Sequence, residues 1–120
     1  MSQLSVLIPA RNEEWLSRTI ADVLEHSEMD TEVICVLDGA WADPPIADDP
    51  RVRLVHVGKS IGQRAACNLA ARMSTAKFIM KLDAHCSVGQ GFDRILVENC
   101  DYDLTVIPYQ YNFHVFDWVC

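Results

Sequence analysis

The chain has 120 residues, half of them apolar, which is enough for one domain with a real core. Folding at this size buries roughly two-thirds of the extended chain's surface. Ten basic against seventeen acidic residues give a net charge of −7, which argues against a nucleic-acid backbone or an anionic membrane as the main partner. An acidic protein that handles an anionic ligand recruits local help, and a divalent cation is the usual recruit.

The five cysteines, Cys35, Cys67, Cys86, Cys100 and Cys120, include no C-x-x-C pair. An odd set without a framework reads as reduced thiols packed as small hydrophobes in a cytoplasmic protein. No basic leader with a long apolar run opens the chain. No apolar run approaches the roughly 20 residues that a membrane span needs.

In chain order, Leu4 to Pro9 is a short apolar run stopped by proline and reads as a buried strand. Asn12-Glu13-Glu14 follows as a helix start, with two acids in the first turn. Leu16, Ile20, Val23 and Leu24 then form one helical stripe. Glu32 to Leu37 is a second buried strand that ends at Asp38-Gly39. Ala42 to Pro50, rich in proline and aspartate, reads as a surface loop before a third strand, Val52 to Val57. Ser60-Ile61-Gly62-Gln63 has capping-box spacing and opens a second helix, whose inner face (Ala66, Leu69, Ala70, Met73) is small enough to lie close on a sheet. Lys77 to Leu82 is a fourth strand, ending at Asp83-Ala84-His85-Cys86. Asp103 to Phe113 is expected to be a fifth, with Tyr109, Tyr111 and Phe113 in alternation. The alternation of strand and helix implies an α/β fold with a mostly parallel sheet flanked by helices.

Ligands of open α/β sheets bind at the carboxyl ends of the strands. Three strands here end in polar residues: Arg11-Asn12-Glu13, Asp38-Gly39 and Asp83-Ala84-His85. In an extended segment residues i and i+2 point the same way, so the Asp83 carboxylate and His85 imidazole are expected to converge on one point. Such a pair suits Mn²⁺ or Mg²⁺, with diphosphate oxygens and water completing the shell. The spacing is equally that of a capping aspartate beside a surface histidine.

Leu82-Asp83-Ala84-His85-Cys86 resembles the D-x-H form of the metal motif of family 2 glycosyltransferases of the GT-A fold, and is similar to that of the polypeptide N-acetylgalactosaminyltransferase branch. Asn12-Glu13-Glu14-Trp15 with Arg18-Thr19 and Val23-Leu24 resembles that branch's first helix. Gly62, Ala66 and Asn68 match the family's G-x-x-x-A-x-N, and Ile107-Pro108 with Asp117-Trp118 resembles the strand after the metal motif.

The resemblance implies a Rossmann-like nucleotide-sugar-binding half spanning residues 1–120, shorter than a complete GT-A domain. Asp83 and His85 would hold the metal, and Asp83 would also face the donor. Ala10, Arg11 and Glu13 would line the nucleoside pocket, and Asp38 would bond the uracil or ribose. Gly62 would let backbone approach the ligand, and Arg64 would add charge. The implied activity is transfer of a hexosyl or N-acetylhexosaminyl group from a UDP-sugar to an unidentified acceptor. Leu37 before Asp38 and Cys67 before Asn68 depart from the family's aspartate and arginine at those places. No catalytic base is assigned.

Two other readings remain. One is a non-catalytic nucleotide-sugar-binding or scaffold protein. The other is a sugar-phosphate nucleotidylyltransferase, disfavoured because Pro9-Ala10-Arg11-Asn12-Glu13 contains no glycine to grip a triphosphate. The aromatic residues from Tyr109 to Trp118 are expected to support self-association.

Overall fold

The computed structural model describes residues 2–101 and 104–107. Four strands and three helices follow one another as β1 (Leu4–Ala10), α1 (Leu16–His26), β2 (Thr31–Asp38), β3 (Val52–Val57), α2 (Gln63–Met73), β4 (Phe78–Lys81) and α3 (Phe92–Glu98). The strands form one parallel sheet in the order β3-β2-β1-β4. This is the expected α/β architecture, and β3 has the expected bounds.

The two central strands are mostly apolar because both of their faces are covered, and the polar Ser5 and Glu32 side chains within them bond each other. On one face Val6 and Ile8 of β1 and Val33, Cys35 and Leu37 of β2 pack against Leu16, Ile20 and Val23 of α1, with Phe92 of α3 at the margin. On the other, Leu7, Ile34 and Val36 meet Ala66 and Ala70 of α2. The alanines let that helix lie close to the strands. Each fully buried Val, Leu or Ile contributes about 1.5–3 kcal/mol of transfer free energy. Cys35 is fully buried, and that burial pushes its thiol pKa up to about 12, so it is an inert core residue. Cys67, Cys86 and Cys100 are only half-buried, which corrects the expectation of uniformly buried thiols. Residues 42–50 lie on the surface as expected, with Ala42 and Ile46 turned against the core.

Both expected helix caps are corrected. Asn12 has a positive φ of 53° and lies outside α1, which starts after Trp15 without a side-chain cap. Ser60 does not cap α2 either; Gly62 occupies that position with φ 90°, and the Ser60 hydroxyl donates instead to Asp38.

Helix α3 was not anticipated. Its Asp93 is fully buried and accepts from the amides of Glu28, Met29 and Arg94 and from the Thr31 hydroxyl. This ties α3 to the turn between α1 and β2. The preceding Gly91 has φ +70°, a conformation that favours glycine, with the end of the Glu28 side chain 2.6 Å from where a Cβ would stand.

Leu104 to Ile107, expected to begin a fifth strand, are irregular; the rest of that segment and its aromatic residues lie outside the described residues. No helix among the described residues is long and apolar enough to cross a membrane.

Candidate functional site

Strands β1, β2 and β3 run outward in one direction and β4 lies on the opposite flank of β1. The strand order therefore reverses between β1 and β4, and the crevice beyond their carboxyl ends is where an open α/β sheet binds ligands. Arg11 and Glu13 follow β1 on one side of this crevice, and Asp83 and His85 follow β4 on the other.

Strand β4 ends at Lys81, and Ala84 and His85 form a turn. The expected extended geometry for Asp83 and His85 is thereby corrected. The turn forms because Ala84 is buried in the core and its carbonyl accepts from the Thr19 hydroxyl at 2.9 Å. The same hydroxyl oxygen accepts from the Cys86 amide at 3.2 Å. Thr19, fully buried on α1, thus fixes the turn from beneath. One turn further along α1, Asp22 accepts from the Ser87 hydroxyl and the Val88 amide, at 2.9 and 2.7 Å.

Asp83 and His85 both reach solvent, with side chains 44% and 57% exposed. Oδ1 of Asp83 accepts from Lys81 Nζ at 2.8 Å and more weakly from Gln63 Nε2 at 3.4 Å. Among the described residues no hydrogen bond engages Oδ2. Nδ1 of His85 lies 3.4 Å from Glu13 Oε1. A carboxylate beside one ring nitrogen leaves the other ring nitrogen of the histidine for a ligand. One carboxylate oxygen and one imidazole nitrogen are ligands that a divalent cation accepts, but Asp83, His85 and Glu13 do not form a converging group of three among the described residues. Glu13, expected beside the nucleoside, lies against the metal-motif histidine.

The end of β2 is built differently. Asp38 is only 4% exposed. Its Oδ1 accepts from the Ile61 amide at 2.7 Å, and Oδ2 from the Gly62 amide and the Ser60 hydroxyl, each at 3.0 Å. The Ile61 amide first, then the Ser60 and Gly62 donors and the Arg11 charge, outweigh the effect of burial and hold this carboxyl below the usual range. Arg11 Nη1 reaches Ser60 Oγ at 3.4 Å, so Arg11 and Asp38 share one loop. Gly39 lets that loop approach, since a Cβ there would meet the Ser60 amide nitrogen at 3.1 Å.

Ala10 is buried at the end of β1, whereas Arg64 is exposed in the first turn of α2. A Cβ on Gly62 would meet nothing within 4 Å, so the space above it is open and only its φ of +90° calls for glycine.

Residues absent from the sequence-based set also appear here. Thr19 and Asp22 hold the turn after β4. Trp41, 74% exposed three residues beyond β2, stacks on His56 with ring centroids 3.9 Å apart and planes within 6°. Among the described residues the one group of three converging metal-type ligands is Asp22, Glu25 and His26 on α1. Asp22 is already spent there on Ser87, Val88 and His26, which gives that group a structural role.

Comparison with known proteins fits this geometry. Among curated proteins none matches the chain. The crystal structure of S. aureus TarS, residues 1–349, superposes with a TM-score of 0.65 at 12% identity, over 91% of this chain and 39% of that one. At that identity the likeness is one of fold, and this chain spans well under half of the matched structure. Residues 5–115 match the family described as glycosyl transferase family 2. With the match running over nearly its whole length, the chain belongs to glycosyl transferase family 2.

Proposed function

We propose that this chain is the donor-binding part of a metal-dependent glycosyltransferase that takes a UDP-sugar and passes its hexosyl or N-acetylhexosaminyl group to an acceptor. The observation that carries this reading is the turn after β4, where Asp83 and His85 present donor atoms to solvent beside the β1–β4 crevice. Family membership supports it independently.

Asp83 Oδ2 and His85 Nε2 would hold Mn²⁺ or Mg²⁺, with Glu13 orienting the imidazole. When bound, the metal supplies charge neutralisation for the diphosphate and for the leaving nucleotide. Arg11 and Arg64 bring positive charge to the same edge of an acidic protein. Gly62 leaves open space before α2, where the first-turn amides attract anions. Asp38 shapes the nucleoside side by fixing the 60–62 loop and holding Ser60 next to Arg11.

Calorimetry tests the reading. UDP should bind with Mn²⁺ present and weaken strongly with a chelator, and Asp83→Ala should behave like the chelator. Equal UDP affinity in all three conditions would sink the metal assignment. Metal-dependent binding with no transfer to any tested acceptor would instead favour the non-catalytic alternative for this chain.

A further inference from the structure

Asp38, expected to bond the uracil or the ribose, has both of its oxygens engaged by Ser60, Ile61 and Gly62. With three bonds already on that carboxylate, a flat group beside it is well placed to recognise the uncharged end of a nucleotide. Trp41 is three residues away, a stretch of chain that spans at most about 11 Å.

Its surroundings make it a prepared surface rather than a stray exposed side chain. His56 stands one residue short of the end of β3, paired in register with Leu37, and its ring lies flat under the indole. The chain on either side of Trp41 is fixed. The Gly39 amide donates to Val57 O at 2.8 Å, and Ala42 and Ile46 pack against the core. With His56 covering one face, the indole's other face is open at the carboxyl edge of the sheet. An exposed tryptophan normally folds down onto nearby apolar surface; this one is held out by a planar partner.

We propose that Trp41, braced by His56, is the stacking platform for the base of the bound nucleotide, an inference that rests on the donor-binding reading above. A flat, uncharged surface suits this role, because stacking needs only a π face, whereas the anionic diphosphate is handled several residues away. Arg11 and Ser60 would then contact the ribose side, with Asp38 holding them in place.

The test compares UDP with inorganic pyrophosphate, which lacks a base, by calorimetry in the presence of Mn²⁺. Trp41→Ala should weaken UDP about 5- to 100-fold, the range for losing one base–aromatic stack, and leave pyrophosphate affinity unchanged. Trp41→Phe keeps a ring and should stay within about threefold of the parent, while His56→Ala should give a smaller loss than Trp41→Ala. Because Trp41 is 74% exposed, these substitutions leave the core intact. Parent-like UDP affinity in Trp41→Ala overturns the platform while leaving donor binding standing. Equal losses for UDP and pyrophosphate also overturn it, since the indole would then be supporting the site as a whole. A parent protein that binds neither ligand overturns donor binding and the platform together.

Discussion

Asp38 ends β2 and Asp83 follows β4, on either side of β1 at the same carboxyl edge of one parallel sheet, and the two have opposite surroundings. Asp38 is 4% exposed and its two oxygens accept three hydrogen bonds from the loop before α2. Asp83 is 44% exposed, and among the described residues only its Oδ1 is engaged, by the side-chain ends of Lys81 and Gln63. Buried carboxylates must be paired, and Asp38 meets that demand with fixed backbone donors. A carboxylate left half-exposed with an unspent oxygen is suited to a ligand that comes and goes. Asp38 builds the edge, and on the proposed reading Asp83 serves it.

The contrast is broken most sharply by substituting each in turn. Asp83→Ala should lower Mn²⁺-dependent UDP affinity by on the order of 100-fold, within the roughly 2–5 kcal/mol that losing one partner of a charge pair costs. Its thermal stability should stay within about 0.5 kcal/mol of the parent. Asp38→Ala should do the reverse in stability, costing about 2 kcal/mol because two amides lose a charged acceptor. That is a fall of roughly 8 °C in melting temperature at this size. If Asp38→Ala proves as stable as the parent, the clamp is not a structural element.

Acid should reveal the same asymmetry. The Asp38 carboxyl is held low chiefly by the Ile61 amide. Burial raises that of Asp93, but the Glu28, Thr31, Met29 and Arg94 donors outweigh it and hold it low as well. A carboxyl lowered on folding stabilises the native state above its unfolded pKa, about 3.9, and that stability is lost as pH falls through the folded value. Melting temperature should therefore be level above about pH 5 and drop below about pH 4. The double variant Asp38→Asn with Asp93→Asn should show a shallower acid limb. An unchanged limb would mean that other carboxylates govern acid unfolding.

Much of this was legible in the chain. The central strands read clearly because burial on both faces leaves few polar positions to blur them, and β3 is bounded by turn residues that fixed its ends. The stripe on α1 and the small face of α2 were likewise carried by local spacing. The caps were not, because Ser60 serves Asp38, a contact 22 residues away in sequence. Helix α3 has only seven residues and derives its anchor from Asp93, which bonds a turn more than sixty residues earlier. At the site, the D-x-H residues were visible as a motif, but their support was not. Thr19 reaches Ala84 across 65 positions, and no local pattern distinguishes it from any other threonine on a helix.

That support should be measurable apart from the ligands. Thr19→Val keeps the shape of the side chain and removes the hydroxyl that bonds Ala84 and Cys86. The loss should cost about 1–2 kcal/mol of stability. It should also weaken Mn²⁺ binding, because the turn carrying His85 would no longer be held. Thr19→Ser restores the hydroxyl and should recover the metal affinity. A Thr19→Val protein that loses stability but binds Mn²⁺ like the parent would confine Thr19 to packing.

The smallest expected effect bears on the open end alone. Lys81 Nζ lies 2.8 Å from Asp83 Oδ1, so the carboxylate proposed to hold the metal already has an internal cation beside it. Lys81 and Asp83 are each nearly half exposed, and ion pairs in such positions contribute at most about 1 kcal/mol. If the ammonium competes with the metal, Lys81→Met should tighten Mn²⁺ binding by up to about fivefold, the equivalent of that energy. Added salt, which screens the pair in the parent, should narrow the difference between the two proteins. The opposite sign, weaker binding of Mn²⁺ with UDP but unchanged binding of Mn²⁺ alone, would place Lys81 on the diphosphate rather than in competition with the metal. Either outcome separates Asp83 from Asp38, whose backbone donors cannot move aside for a cation.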